Sequence, residues 1–236
     1  MNDEMSKISE IFLKPYEPKD HEKSIYKLWE DSGYFDPDKL PGERSEQFSI
    51  VMPPPNATGS LHAGHALFVT IQDIMIRYKR MLGKKTVWFP GADHAGFETQ
   101  VVYERKLEKE GRSRFSMEPK ELYDEILAFT LANKSFMENQ IRELGASCDW
   151  TREKFTLDAD VIKIVYDTFK KLDEDELLYR GKRIVNWCSK HQTSLSNLET
   201  EYHQRIDPFY YFQYGSFVIG TSRPETKFGD KYVVMH

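Results

Sequence analysis

Three consecutive prolines, Pro53, Pro54 and Pro55, fall directly after the apolar run Phe48 to Met52 and lead into Asn56-Ala57-Thr58-Gly59-Ser60-Leu61-His62-Ala63-Gly64-His65. Proline has no N–H to give to a sheet ladder, so the run reads as a strand whose pairing stops at Pro53. From about Leu61 onward, Leu67, Ile71, Ile74, Met75, Tyr78 and Leu82 recur at helical spacing. A strand therefore passes into a long helix through a segment that cannot pair regularly. Thr58 and Ser60 place hydroxyls near the helix start, where the first backbone N–H groups lack partners. Gly59 and Gly64 remove side chains where a ligand could approach the backbone. A helix start with unpaired N–H groups and a partial positive charge suits a phosphate. His62 and His65, three residues apart, share one face of the first turn and add two donors there. Taken alone, the H-x-x-H spacing fits zinc ligands, surface residues or phosphate-facing donors. Zinc would need further ligands, and no carboxylate or cysteine stands close by to supply one.

After Gly83, Thr86-Val87-Trp88-Phe89 reads as a second strand, so the order strand, long helix, strand predicts a βαβ unit with parallel strands and a right-handed crossover. Ligands of open parallel sheets bind beyond the carboxyl ends of the strands. Here those ends carry the Pro53-to-Gly59 segment and Pro90-Gly91-Ala92-Asp93-His94-Ala95-Gly96, so both loops are expected to face one crevice. Upstream, residues 1–18 read as a loose leader, followed by a short helix from Lys19 to Asp31 with Ile25, Leu28 and Trp29 on one face. Downstream, helices are predicted over Phe97–Gly111, Pro119–Leu144 (stripe Leu122, Ile126, Phe129, Phe136, Ile141) and Asp158–Glu174 (stripe Ile162, Val165, Phe169, Leu172). From Leu177 the pattern changes to short strand-like runs at 177–179, 184–187, 209–214 and 217–220, with Gly215-Ser216 marking a hairpin. Lys231 to Met235 also reads as strand, which makes the end at His236 a physically odd boundary.

Composition narrows the class. With 39% hydrophobic and 14% aromatic residues, 236 residues can bury a sizeable core. The net charge of -5 argues against a protein whose whole surface grips nucleic acid. No apolar run approaches the roughly 18 residues of a membrane span, and the polar N-terminus lacks the character of a signal peptide. Two cysteines, Cys148 and Cys188, give no disulfide framework, which points to a reducing, cytoplasmic setting. Cys188-x-x-His191 offers only half of a structural zinc's ligand set, so no metal is predicted, and Cys148 is expected to pack rather than react. The clusters Arg77, Lys79, Arg80, Lys84, Lys85 and Arg180, Lys182, Arg183 read as solvated basic ends or as contacts to RNA phosphates.

The stretch P-P-P-N-x-T-G-x-L-H-x-G-H resembles the signature of class I aminoacyl-tRNA synthetases, and most closely that of the valyl-tRNA synthetases. The loop F-P-G-A-D-H-A-G-F-E-T-Q is similar to the same family's valine-specific segment, and residues 145–153, 179–187 and 221–226 match it in the same order. The resemblance implies an α/β chain: the first half of a Rossmann-like nucleotide-binding fold, followed by the start of a β-rich editing insertion. It divides the chain into a leader and helix over 1–45, a catalytic half-domain with a helical part over 46–180, and a connector with the beginning of an editing domain over 181–236.

The implied activity is ATP-dependent activation of valine to valyl-adenylate, then transfer to tRNA(Val), with ATP and Mg2+ as substrate and a cytoplasmic monomer, or the remaining part of the same synthetase, as the working unit. His62 and His65 would be the catalytic donors. Asn56, Thr58, Gly59 and Gly64 would complete the ATP site, with Gly64 letting adenine lie on the backbone. Pro53, Pro54, Asn56 and Asp93 would hold the amino acid, Asp93 taking its ammonium. Thr221, Ser222 and Arg223 would face a misacylated adenosine in editing, or else form a turn in which Pro224 closes a strand. A lysine-rich K-M-S-K-S loop is not found, so the chain by itself is expected not to aminoacylate tRNA. An isoleucine-type synthetase and a non-catalytic paralogue serving as a binding module are the competing readings. Ala63, Ala92 and Phe97-Glu98 depart from the family pattern without removing a donor or the carboxylate, which touches specificity more than reaction class.

Overall fold

The computed structural model describes residues 15–234, so the leader expected over 1–18 lies outside the described residues up to 14. Two units divide between Leu178 and Tyr179. In the first, strand β1 (Gln47–Val51) and strand β2 (Lys85–Phe89) pair in parallel with Gln47 opposite Lys85 and Val51 opposite Phe89, joined by helix α2 (Ala63–Met81). The expected βαβ unit is present. Helix α1 (Pro18–Ser32) precedes it, starting on Pro18 and ending where Gly33 takes φ 74°. Strand β3 (Gly91–Ala92) pairs in parallel with β4 (Lys154–Phe155). Asp149 N donates to Trp88 O at 2.9 Å and Lys154 N to Pro90 O at 3.2 Å, so residues 149–156 run along the edge of β2 that β1 leaves open.

Pairing does not stop for good at the prolines. Met52 N still donates to Phe89 O, the ladder skips the proline run, and it resumes as a parallel bridge between Asn56 and Asp93. The two strand-end loops are thus stitched by backbone bonds, Asp93 N to Pro55 O at 2.9 Å and Ala57 N to Asp93 O at 2.8 Å.

The core lies where α2 and helix α4 (Pro119–Glu143) meet the strands. Met52, Val69, Ile76, Trp88, Met137 and Ile141 are all buried there, with Cys148 beside them. Burial of Cys148 pushes its thiol well above the usual range, in keeping with a packing role. Helix α3 (Gly96–Lys109) packs through Thr99, Tyr103 and Leu107.

Several helix faces differ from expectation. The α2 stripe of Leu67, Ile71, Ile74, Met75, Tyr78 and Leu82 is exposed, and the helix lies on the sheet by its opposite side. That side uses Val69 and Ile76 for packing and polar groups for directed bonds: Trp88 Nε1 donates to Gln72 Oε1 at 2.9 Å, and Ser147 N to Asp73 Oδ1 at 2.8 Å. Spacing identifies a helix but does not choose between two faces that both carry apolar groups. In α1, Tyr26 is buried, while Ile25, Leu28 and Trp29 are not, because the Tyr26 hydroxyl bridges Ala146 O and Trp150 Nε1. In α4, Phe136 faces out and Met137 in. Helix α5 (Ala159–Glu174) begins after Asp158 as expected but buries none of its stripe.

Arg77 and Arg80 are not a solvated basic end. Arg77 Nη2 donates to Gly145 O and Arg80 Nη1 to Ser147 Oγ, tying α2 to the connector that leads to β4.

The second unit holds two antiparallel pairs. Strand β5 (Asn186–Cys188) pairs with β6 (Thr193–Leu195), and β7 (Tyr210–Tyr214) pairs with β8 (Phe217–Thr221) across the Gly215-Ser216 turn, where Gly215 has φ 58°. Strands are absent at 177–179 and 231–234, both expected from their apolar content. Neither segment finds a pairing partner among the described residues, and β-propensity without a ladder leaves irregular chain. Among the described residues no helix is long and apolar enough to cross a membrane.

Candidate active site

The start of α2 is capped by the two histidines themselves, not by Thr58 or Ser60 as expected. His62 takes extended backbone at the cap position; its Nδ1 accepts from Gly64 N at 3.1 Å, while its own N–H donates to His65 Nδ1 at 3.2 Å. His62 O accepts from His65 N at 2.8 Å and from Ala66 N at 3.2 Å. A hydroxyl earlier in the loop has no orphan donor left to meet at these positions. The backbone N–H groups at Gly64, His65 and Ala66 are therefore satisfied within the helix start, which corrects the picture of free N–H groups awaiting a phosphate.

The cap fixes the chemistry of the rings. Each Nδ1 accepts a backbone proton and so carries none, which places the ring proton of each neutral imidazole on Nε2. The ring centroids lie 3.9 Å apart. Burial first, and the neighbouring His62 ring second, hold His65 below the ordinary imidazole value. The result is a pair of Nε2–H donors side by side. Gly64 belongs to this arrangement: a Cβ there would stand 2.9 Å from His62 Cε1 and 3.0 Å from His62 Nδ1. Space for the His62 ring thus accounts for that glycine without an adenine, whereas a Cβ on Gly59 would meet nothing within 4 Å.

Beyond β2, Asp93 is half-buried. Its Oδ1 accepts from Ala95 N and from the Thr156 hydroxyl, each at 3.1 Å, and among the described residues Oδ2 accepts nothing. Ala95 sits at φ 55°, a left-handed conformation that costs an alanine about 1 kcal/mol and is held here by the Asp93 carboxylate. His94 lies against Thr156 as well, with N to Oγ1 2.9 Å and Nδ1 to Oγ1 2.6 Å.

Of the residues expected to hold an amino acid, Asn56 and Asp93 are brought together by the backbone bridge, and Asn56 Nδ2 donates to Glu98 Oε2 at 2.7 Å. Pro54 lines a largely apolar cavity of about 430 Å³ together with Met52, Phe89, Ala92, Phe155 and Val161. Pro53 is exposed and does not line it. Thr58 is half-buried, and its N–H donates to Asn56 O. Thr156 was missed by sequence reasoning. The distance in sequence hid it, and only the parallel pairing of β3 with β4 delivers it to Asp93.

In the second unit Thr221 closes β8, its Oγ1 accepting from Arg223 N at 3.0 Å, and Pro224 opens a short 3-10 turn. Ser222 and Arg223 are exposed. Cys188 Sγ lies 3.3 Å from His191 Nδ1, and no third metal-binding side chain joins them among the described residues.

The chain combines a parallel βαβ core, two strand-end loops stitched by backbone bonds and a histidine-capped crossover helix, and residues 24–214 match the family described as tRNA synthetases class I (I, L, M and V). The chain belongs to that family. Within it, the chain is similar to valine–tRNA ligases. It is 46% identical over 221 residues to the chloroplastic/mitochondrial 2 enzyme of Arabidopsis thaliana, covering 91% of this chain and 22% of that protein. Against the Carboxydothermus hydrogenoformans valine–tRNA ligase the identity is 44%, covering 94% and 26%, and against that of Acinetobacter baylyi 40%, covering 100% and 25%. The chain spans about a quarter of the length of these curated relatives. Among solved structures it is similar to the agnB2 LeuRS of Agrobacterium radiobacter K84, solved in a ternary complex with tRNA and LeuAMS, with a TM-score of 0.63 and 21% identity over 78% of this chain and 21% of that one. That likeness establishes the α/β fold.

Proposed function

We propose that this chain forms the ATP- and valine-binding part of a valine–tRNA ligase, which joins valine to ATP as valyl-adenylate and passes it to tRNA(Val). The observation that carries the reading is the reciprocal His62/His65 cap, which presents two neutral Nε2–H donors together at the carboxyl end of β1. In adenylate formation the valine carboxylate attacks the α-phosphorus of ATP and pyrophosphate leaves, so negative charge grows on phosphate oxygens. Donors fixed before the reaction stabilise that charge without reorganising. Being neutral, the rings donate without repelling each other. Asn56, Thr58 and Gly59 complete the ATP side in this reading, Gly64 serves it by leaving room for the His62 ring, and Mg2+ enters as part of the ATP complex.

Asp93 Oδ2 takes the substrate ammonium, and Pro54 with the apolar cavity beside it takes the side chain. The choice of valine over isoleucine is supported by the 40–46% identity to valine enzymes. Thr221, Ser222 and Arg223 belong, in the same reading, to the edge of an editing site, and the domain limits near 45 and 180 follow with it. A cytoplasmic setting is supported by two cysteines that are both free.

The test is binding of sulfamoyl-adenosine analogues of valyl-, isoleucyl- and threonyl-adenylate to the 236-residue chain, followed by calorimetry and thermal melting. The valyl analogue is expected to bind most tightly and to lose about 10- to 100-fold in affinity on His62→Ala or His65→Ala. Equal binding of the isoleucyl analogue, or no loss in either variant, refutes the reading.

A further inference from the structure

Thr156 has one hydroxyl proton and two lone pairs, and three groups crowd its oxygen: His94 N at 2.9 Å, His94 Nδ1 at 2.6 Å and Asp93 Oδ1 at 3.1 Å. The His94 main-chain N–H can only donate, so it takes one lone pair in every arrangement. Two assignments remain for the proton. If it goes to His94 Nδ1, the hydroxyl oxygen and the carboxylate oxygen face each other at 3.1 Å with no hydrogen between them, and a partly buried carboxylate loses a donor. If it goes to Asp93 Oδ1, Nδ1 must carry the ring proton and give it to the second lone pair, and all three contacts become hydrogen bonds. The second assignment satisfies every group.

The oxygen is itself held in place, because Thr156 N donates to Ala92 O at 3.1 Å where β4 runs beside β3. The ring proton of a neutral His94 therefore lies on Nδ1, opposite to the arrangement in His62 and His65. Its Nε2 is then an acceptor, and among the described residues nothing bonds to it. The ring edge lies near the start of α3: a Cβ on Gly96, two residues on, would stand 3.9 Å from Nε2, an ordinary contact that does not crowd it. Asp93 and His94 side chains are each more than a third exposed.

We infer that Thr156 is a positioning residue that holds His94 in the Nδ1–H tautomer and so leaves His94 Nε2, on the residue next to Asp93, as a second acceptor for a substrate ammonium. The inference rests on the reading of Asp93 as the ammonium site and adds to it a specificity element. An ammonium offers three donors and no acceptor. Two acceptors on adjacent residues therefore favour it over a hydroxyl or a hydrogen in the same place.

The decisive measurement is the tautomer, read from long-range proton–nitrogen correlation spectra of the 15N-labelled chain at pH of about 8, where an ordinary imidazole is neutral. The His94 signals are identified by their loss in His94→Gln. A protonated Nδ1 with a bare Nε2 is expected, with reversion toward the free-imidazole mixture in Thr156→Val and recovery in Thr156→Ser. A protonated Nε2 in the unsubstituted chain overturns the inference, and that spectrum decides the matter even where Thr156→Val fails to fold. An unchanged tautomer in a folded Thr156→Val overturns it equally.

Binding separates the inference from its foundation. Thr156→Val is expected to weaken the valyl sulfamoyl-adenosine analogue about tenfold and to leave its desamino counterpart unchanged, and equal effects on the two overturn the acceptor role. Asp93→Asn that keeps the full preference for the amine refutes the ammonium reading of Asp93 itself, while the tautomer result stands on its own.

Discussion

Gly64→Ala separates the stability of the α2 start from its chemistry. Gly64 lies in the first turn of α2, so its replacement by alanine gains at most about 1 kcal/mol of helix propensity, the figure for a helix interior. Against this, the new Cβ would stand 2.9 Å from His62 Cε1 and 3.0 Å from His62 Nδ1, closer than carbon tolerates, and the only movable partner is the His62 ring. Swinging the ring away breaks the Gly64 N to His62 Nδ1 bond and costs the cap about 1 kcal/mol. The two terms offset each other, so the melting free energy is expected to stay within about 1 kcal/mol of the unsubstituted chain.

The donor geometry has no such offset. His62 Nε2–H moves with its ring, and binding of the valyl sulfamoyl-adenosine analogue is expected to fall about 10- to 100-fold by calorimetry. If the alanine acts through the His62 ring, adding it to His62→Ala changes nothing further, so the double-mutant cycle is strongly non-additive. If glycine is instead needed because the nucleotide lies on the backbone there, the two losses add. Additive losses, or a Gly64→Ala chain that binds as tightly as the original, refute the reasoning.

Other consequences are as direct. Ile76→Ala is expected to cost about 2–5 kcal/mol in urea unfolding, because Ile76 is fully buried, whereas Ile71→Ala, on the exposed stripe of the same helix, costs under about 1 kcal/mol; similar losses would mean that α2 lies the other way round. Asp149 is buried and accepts from Thr151 N, Thr151 Oγ1 and Arg152 Nε, but Arg152 is partly exposed and keeps Asp36 and Asp38 as partners, so Asp149→Ala is expected to lose about 1–3 kcal/mol by the same assay, mainly from the lost turn bonds. Because His65 is held below its ordinary value, the folded chain binds fewer protons than the unfolded one near that value. The stability His65 contributes is therefore present above about pH 6.5 and lost as pH falls below it. The melting temperature should fall more steeply with acid in the unsubstituted chain than in His65→Asn, and parallel curves would exclude the effect.

What could be read from the sequence and what could not divide along the range of the interaction. The βαβ order, the crevice between two strand ends and the pairing of His62 with His65 on one turn follow from local spacing, because proline, helical period and adjacency act within a few residues. The hairpin at Gly215 is legible for the same reason. Burial of one helix face rather than another depends on what lies across it. In α2 the covered side is marked by Gln72 and Asp73, whose partners Trp88 and Ser147 lie 16 and 74 residues away, so the polar residues rather than the apolar stripe point to the sheet.

The same distinction runs through the site. Sequence spacing puts the two histidines on one face of the helix start, and the family resemblance implies that they are donors. Neither says which nitrogen donates, since that follows from backbone N–H groups that the cap turns onto each Nδ1. At His94 the partner is a hydroxyl 62 residues away, and it directs the opposite choice. One residue type thus supplies donors on the phosphate side of the proposed site and an acceptor on the ammonium side. The difference lies in what each Nδ1 meets: an N–H at His62 and His65, and at His94 an oxygen whose proton is already committed to a carboxylate. In the proposed reading, the opposite polarity of the two ends of a valyl-adenylate, anionic at the phosphate and cationic at the amine, is matched by hydrogen-bond partners that the histidines themselves do not encode.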